Sequence, residues 1–321
     1  MQALKKKRIL KKRIDISGIG LFLILALIVA VLSIITPYFL TVRNIFSILL
    51  SVAIIGVGGV GQTLVIVSGG LDLSVESVIA CTSVFIGLLN KQGFPLIVSI
   101  FAGLLLGPFV GYINGVLIAK RKINAVITTL AMMSIVRGVG LLLTNAKTIA
   151  ISRSDFGFIG RGYLFGSIPF AVIVLIFIYF LFYFVLNHTP FGRNVYAVGG
   201  NPIATRLAGI DVDKYRIMIY TIAGGLGSLS GILFASIVGA GLPYGASGYA
   251  LDIIAAVILG GTSLAGGIGT VQGTLVGVLI LGVLSNGLIL LDISSFWQMV
   301  VRGIVLVIAV EFDQLKLTKR K

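Results

Sequence analysis

Apolar stretches long enough to cross a lipid bilayer follow one another along almost the whole chain. A helix needs about 20 mostly apolar residues to span the hydrocarbon core, and its backbone polar groups are all satisfied internally. Ten such stretches are present, with approximate limits 18–36, 44–67, 74–90, 95–119, 124–144, 169–187, 215–240, 250–265, 270–290 and 294–312. We therefore predict an all-α polytopic membrane protein with about ten transmembrane helices.

The basic residues indicate how these helices are oriented. The formal net charge is +15, yet the Lys and Arg residues gather beside apolar stretches, which is typical of membrane anchoring and argues against nucleic-acid binding. Eighteen of the 25 fall within 5–13, 120–122, 193–216 and 316–321. The positive-inside rule predicts that these segments and both termini are cytoplasmic. The predicted parts are an N-terminus at 1–17, transmembrane halves at 18–187 and 217–312, a cytoplasmic loop at 188–216 and a tail at 313–321.

The segment from His188 to Arg216 is the only long polar interruption between the two apolar halves. In this segment, Asn201 is a favoured N-cap residue and Pro202 is favoured at the first helical position. Gly209 is favoured at the position just past a helix end. These residues predict a short helix.

One face of this predicted helix is apolar, because Ile203 and Leu207 lie four residues apart. Arg206 falls in the last turn, where a cation suits the helix dipole. A helix shorter than about 12 residues is marginal by itself. The segment is therefore either a docking site for a cytoplasmic partner protein or an ordinary basic loop that determines membrane topology.

Two glycine-broken, acid-bearing stretches occur at corresponding places in the two halves. They run from Ser68 to Glu76 and from Gly245 to Asp252. Such breaks must face protein or water, since backbone groups cannot remain unpaired in lipid. They are typical of a pathway or hinge but also of ordinary turns, and two inverted five-helix repeats are geometrically possible.

Two arginines lie inside predicted spans, Arg137 in the fifth and Arg302 in the tenth. Both are costly if they face lipid. One hypothesis is a hydrated pathway with Asn145 and Gln298 as nearby polar groups, and the alternative is a salt-bridge or snorkelling role. Possible acidic partners are Asp72, Glu76 and Asp252, and the sequence leaves the pairing open.

The fourth span carries a glycine at every fourth position. Gly103, Gly107, Gly111 and Gly115 together form a smooth groove along one helix face. Such grooves allow close helix contact in membranes, so this pattern favours packing within the bundle over a role in conduction.

Catalysis by this chain has no support in its motifs. No HExxH or cysteine cluster is present, so we expect no metal site, and the sole histidine, His188, lies at a predicted cytoplasmic helix end. The chain has no G-x-x-x-x-G-K-[ST] loop to hold nucleotide phosphates. If ATP drives this protein, the ATPase is a separate chain.

Four blocks together resemble the ribose, xylose and galactose permease family of bacterial ABC importers, which includes autoinducer-2 permeases. They are Gln62–Ser77, Arg137-Gly138 with Thr144-Asn145, Thr189–Asp213 and Tyr249–Leu288. The resemblance implies a pore formed with a second permease copy or a sister permease. It also implies a cytoplasmic ATPase subunit that carries ATP and Mg²⁺, an extracytoplasmic sugar-binding protein, no cofactor in this chain, and a fold like that of the vitamin B12 importer class.

The family's coupling helix matches Pro202 to Ala208. The residues expected to couple to the ATPase are Asn201, Pro202, Ile203, Thr205, Arg206, Leu207 and Gly209. Those expected at the pathway or a hinge are Gly69, Gly70, Asp72, Ser74, Arg137, Asn145, Asp252, Gln298 and Arg302. Three outer arginines are hypothetical docking sites for the binding protein: Arg43, Arg153 and Arg161.

The predicted function is therefore the permease subunit of an ATP-driven importer of ribose-type sugars in the bacterial inner membrane. An ion-coupled secondary transporter is the main alternative, because such transporters also have inverted repeats and broken helices. Its coupling carboxylates would lie near the membrane midplane.

Overall fold

The computed structural model describes residues 16–164 and 166–318. Within these residues it contains thirteen helices: α1 (Ile16–Ile35), α2 (Val42–Val67), α3 (Val75–Lys91), α4 (Leu96–Ala119), α5 (Ala125–Thr144), α6 (Ser154–Arg161), α7 (Phe170–His188), α8 (Pro190–Gly200), α9 (Pro202–Leu207), α10 (Val212–Val238), α11 (Tyr249–Leu259), α12 (Val271–Leu290) and α13 (Ser295–Thr318). Residues 1–15 of the predicted basic N-terminus and 319–321 of the predicted tail lie outside the described residues.

Four two-residue strands complete the described structure: β1 (Ile149–Ala150), β2 (Tyr163–Leu164), β3 (Ile168–Pro169) and β4 (Ala240–Gly241). They form two small antiparallel sheets, in which β1 pairs with β4 and β2 with β3. The β1–β4 pair therefore hydrogen-bonds the segment after α5 to the segment after α10.

The helices confirm an all-α polytopic membrane protein. Seven helices of the described residues are long and apolar enough to cross a membrane, namely α2, α4, α5, α7, α10, α12 and α13. Each of the ten predicted stretches contains one helix. The stretch 250–265 was predicted too long, because α11 ends at Leu259 and Gly261 adopts a φ of +90° that stops the helix.

Helices α2 and α10 occupy the centre of the bundle. Helix α10 packs on α2, α3 and α4, and α2 packs on α7, α11 and α12. The glycine groove of α4 confirms the packing interpretation: a methyl group on Gly107 would overlap the Gly224 carbonyl, and one on Gly111 would overlap the Tyr220 carbonyl. The glycines thus let two helix backbones touch.

The chain alternates between two ends of this bundle. We call one end the α9 face, because α9 lies there with α8 and the α4–α5 and α11–α12 loops. The opposite end, the α6 face, carries α6, the strands and the α3–α4 loop.

Candidate coupling helix and buried charge pairs

Helix α9 forms where its cap residues predict it. The Asn201 side chain accepts a hydrogen bond from the backbone N–H of Ala204 at 2.9 Å, and Pro202 is the first helical residue. Ala208 caps the other end, and Gly209 follows with a φ of +83°. The short helix is therefore confirmed, and local cap chemistry accounts for both of its limits.

The apolar side chains of α9 point away from the rest of the molecule. Ile203 is 72% exposed and Leu207 is 85% exposed. By contrast, Thr205 is buried and donates to the carbonyl oxygens of Ala197 and Asn201, both at 2.8 Å. Helix α9 is thus held on α8 by one side and presents two large apolar side chains on the other.

Helix α8 was missed by the sequence analysis, which treated residues 188–216 as a loop with one helix. The Thr189 hydroxyl accepts from the backbone N–H of Gly192, and Pro190 is the first helical residue. This is the same cap-then-proline pattern as Asn201-Pro202, so a signal was present. Asn201 both ends α8 and caps α9, which leaves no flexible linker between the two helices.

Contacts of α8 connect α9 to two interior elements. The Tyr196 hydroxyl donates to the Gly269 carbonyl at 2.8 Å, in the α11–α12 loop. A methyl group on Gly199 would overlap the carbonyl of Val67 at the end of α2. Val67 in turn accepts from the Gly267 N–H at 2.7 Å. Helix α8, which continues directly into α9, therefore contacts both the end of α2 and the α11–α12 loop.

Asp213, in the first turn of α10, forms ion pairs with two other elements. Its carboxylate lies 3.0 Å from Arg206 of α9 and 2.7 Å from Lys122 of the α4–α5 loop. All three side chains are at least partly exposed, so these pairs contribute little to stability. They nevertheless place Arg206 of α9 and Lys122 of the α4–α5 loop on the same carboxylate of α10.

The predicted break between α2 and α3 is present, at residues 68–74. Asp72 is buried and accepts hydrogen bonds from the Ser74 N–H at 2.8 Å and hydroxyl at 2.6 Å. Gly69 has a φ of +80°, and with Gly70 it lines a cavity of about 370 Å³ at the α9 face. Asp72 and Ser74 thus stabilise the break itself, while both glycines border the cavity and a methyl group on Gly70 would overlap the Tyr220 hydroxyl.

Both intramembrane arginines form ion pairs, which resolves the pairing that the sequence left open. Arg137 pairs with Glu76, and Arg302 pairs with Asp252 at 3.0 Å. The two carboxylates are buried, whereas 26% of the Arg137 side chain and 36% of the Arg302 side chain are exposed. Asp72 joins neither arginine among the described ion pairs.

Glu76 also connects the two halves of the chain. Its second carboxylate oxygen accepts from the backbone N–H groups of Gly248 at 2.9 Å and Ala250 at 3.3 Å. These are unpaired donors at the N-terminus of α11, where a carboxylate is favourable. At 1.5 Å per residue, Arg137 and Arg302 each lie about 10 Å from the α6-face ends of α5 and α13. Both ion pairs therefore lie well away from the ends of α5 and α13, with their carboxylates buried and their guanidinium groups partly exposed.

Asn145 and Gln298 do not join these charges. Asn145 is exposed at the end of α5, with a φ of 49°. The Gln298 amide donates to the Ile293 carbonyl at 2.9 Å, at the beginning of α13. Among the described residues, neither side chain forms a hydrogen bond with Arg137 or Arg302.

The three outer arginines all lie exposed at the α6 face. They differ in their partners, because Arg153 forms an ion pair with Asp155 at 2.8 Å, while Arg43 and Arg161 join no ion pair among the described residues. Hydrogen bonds from Arg153 hold the pKa of Asp155 below its usual range. Asp155 is therefore ionised at neutral pH, and it partly neutralises Arg153.

Comparison with known proteins matches most of this chain to one family. Residues 44–310 match the family model described as branched-chain amino acid transport system / permease component. The ribose import permease protein of Bacillus subtilis is 43% identical over 95% of this chain and 97% of its own. That of Escherichia coli K12 is 41% identical over 91% and 92% of the two chains. An L-arabinose ABC transporter permease protein of Azospirillum brasilense is 39% identical over 94% and 89%. No solved structure matches the chain.

Proposed function

This chain belongs to the permease family of bacterial ABC sugar importers, and from that premise we propose that it forms the pore of an importer for ribose or a similar monosaccharide. It is a multi-pass protein of the bacterial inner membrane, and we propose that both termini are cytoplasmic. The observation that carries the proposal is the capped helix α9, which presents two exposed apolar side chains at one end of the bundle.

Helix α9 is the proposed coupling helix. Ile203 and Leu207 lie one turn apart and would be buried in a groove of a separate ATPase subunit, which carries ATP and Mg²⁺; this chain has no phosphate-binding loop of its own. Burial of such side chains contributes about 1.5–3 kcal/mol each. Closure of the ATPase dimer would move α9, and the contacts of α8 and Asp213 would carry this movement into the bundle.

The proposed architecture is ten crossings in two inverted five-helix repeats, as in the vitamin B12 importer class. Corresponding helices make corresponding contacts: α4 packs on α10 as α12 packs on α2. The Glu76–Arg137 pair joins α3 to α5, and the Asp252–Arg302 pair joins α11 to α13. In both repeats the helix is interrupted at the corresponding place, between α2 and α3 and between α10 and α11.

The proposed pathway lies between two permease copies, or between this chain and a sister permease, along α5 and α13. The partly exposed guanidinium groups of Arg137 and Arg302 support this, because facing lipid would be costly and facing a water-filled space would not. Gly69 and Gly70 border the cavity at the cytoplasmic end. At the opposite end, the exposed Arg43, Arg153 and Arg161 are proposed to dock the sugar-binding protein.

Replacing Arg206 with glutamate should detach the ATPase or uncouple ATP hydrolysis from transport. The change removes the cation that pairs with Asp213 and leaves two carboxylates side by side. We expect sugar import by the reconstituted importer to fall at least about tenfold, since like charges at a contact cost more than 1 kcal/mol. Co-purification of the ATPase and the ratio of sugar imported to ATP hydrolysed are the measurements.

Lys214→Glu is the matched control, because Lys214 is exposed in the first turn of α10, next to Asp213 in sequence, and undergoes the same change of charge. Equal import by the two variants would show that Arg206 does not take part in the coupling contact. The ion-coupled alternative is tested in the same vesicles: import that stops when an ion gradient is collapsed, with ATP held constant, would replace the importer proposal.

A further inference from the structure

An open cavity at the α6 face is lined by two lysines. Its volume is about 530 Å³, and it lies between the ends of α3 and α5 and strand β1. Lys91 and Lys147 line it together with Leu88, Leu143, Thr144, Asn145, Thr148, Ile149 and Ala150. Both lysines are exposed, and neither has an ion pair in the part of the chain that the structure describes.

The backbone beside Lys147 has an unusual conformation. Asn145 and Ala146 are consecutive non-glycine residues with φ of 49° and 59°. Asn145 is the C-cap of α5, where a left-handed residue is common, whereas the same conformation is disfavoured for Ala146. Hydrogen bonds from Ala146 to Leu141 and from Lys147 to Thr144 hold the turn, so Lys147 is directed from a defined wall of the cavity.

The α6 face has an excess of positive charge that an acidic partner would neutralise. Its segments carry five basic residues, Arg43, Lys91, Lys147, Arg153 and Arg161, and two acidic residues, Asp155 and Asp292. Positive charge is disfavoured on the outer side of a membrane protein, so membrane topology does not explain the basic residues at this face. A neutral sugar offers no charge to neutralise two ammonium groups, whereas a carboxylate on a protein does.

We propose that Lys91 and Lys147 receive an acidic side chain from a loop of the extracytoplasmic sugar-binding protein. This inference rests on the proposed function and adds two docking residues to the three arginines. The wall of the cavity also transmits the contact: Ile149 and Ala150 of β1 pair with β4, and Leu242, just after β4, donates to Ser83 of α3 at 3.1 Å. The docking site therefore lies on a segment that is hydrogen-bonded to the second half of the chain.

The test is import of sugar into proteoliposomes at increasing concentrations of the loaded binding protein. For the double variant Lys91→Glu/Lys147→Glu we expect the half-saturating concentration of the binding protein to rise about tenfold, because charge reversal at a contact slows association. The maximal import rate and the ATPase rate without binding protein should remain within about twofold of the original. Added salt should weaken binding to the original protein more than to the variant.

Two controls separate the effect of the lost positive charge from a structural disturbance of the cavity. Lys91→Arg/Lys147→Arg keeps both cations and should keep the original half-saturation. Gln92→Glu adds one negative charge at an exposed residue that does not line the cavity, so it should raise the half-saturating concentration much less than the double reversal. If the double reversal does not assemble, Lys91→Gln/Lys147→Gln should still raise the half-saturating concentration about threefold.

An unchanged half-saturation in the double variant, with normal import by the original protein, would overturn the docking site and leave the proposed function intact. A rise seen only with phosphatidylglycerol and absent in phosphatidylcholine vesicles would assign the lysines to lipid headgroups instead. Failure of the original protein to import with its ATPase and binding protein would refute the proposed function itself.

Discussion

Replacing Glu76 with alanine is expected to lower the free energy of unfolding by about 3 kcal/mol and to abolish transport. The change leaves Arg137 without its carboxylate, and it also removes the acceptor for the N–H groups of Gly248 and Ala250. Breaking a buried ion pair costs about 3–5 kcal/mol, and the lower value applies because 26% of the Arg137 side chain is exposed. Unfolding of the detergent-solubilised protein measures the change.

Glu311→Ala is the matched control, since Glu311 is exposed on α13 and joins none of the described ion pairs. The double variant Glu76→Gln/Arg137→Met should recover part of the stability, because glutamine still accepts from Gly248 and no charge is left unpaired. If Glu76→Ala unfolds like the Glu311 control, the ion pair does not hold the two halves together.

Replacing Gly107 with valine should prevent α4 from packing on α10. A side chain at this position meets the Gly224 carbonyl oxygen and the Ser228 hydroxyl, and the backbone atom cannot move aside as a flexible side chain can. Overpacking of this kind typically costs about 1–3 kcal/mol, and we expect at least the upper value here because backbone atoms collide. The yield of folded, monodisperse protein and its unfolding in detergent measure this effect.

Gly138→Val on α5 is the matched control, because nothing lies within 4 Å of the position where its Cβ would be. A side chain there meets open space, so folding should be nearly unchanged. Similar losses in both variants would mean that valine disturbs these helices intrinsically and that the contact between α4 and α10 is not responsible.

Residues close together in sequence determined most of the helical segments. Each predicted stretch begins and ends within a few residues of a helix except at α11, where the glycines after Leu259 stop the helix early, and at α13, which continues to Thr318. Asn201, Pro202 and Gly209 predicted α9 correctly, because a cap is a contact among residues a few positions apart. The same reasoning would have found α8 from Thr189 and Pro190.

The candidate site depended much more on the tertiary structure. The sequence identified Arg137, Arg302 and their possible partners by their cost in lipid, but the choice of Glu76 for Arg137 depends on how α3 packs against α5. Nothing near Glu76 in sequence indicates that it caps a helix that begins at Tyr249. Nor does a local pattern bring Lys91 and Lys147 to one cavity.

The sequence alone thus determined that this chain is a helical membrane protein, where the helix of each apolar stretch lies, and that a short capped helix lies between the two apolar halves, but it did not reveal α6 or α8. Hydrophobic length and cap residues act over a few neighbouring positions, so they can be read without the fold. Only the tertiary structure decided which charges pair and which apolar side chains of α9 remain exposed. Those outcomes depend on contacts between distant residues, such as Glu76 with Gly248, and each arises only when whole helices pack.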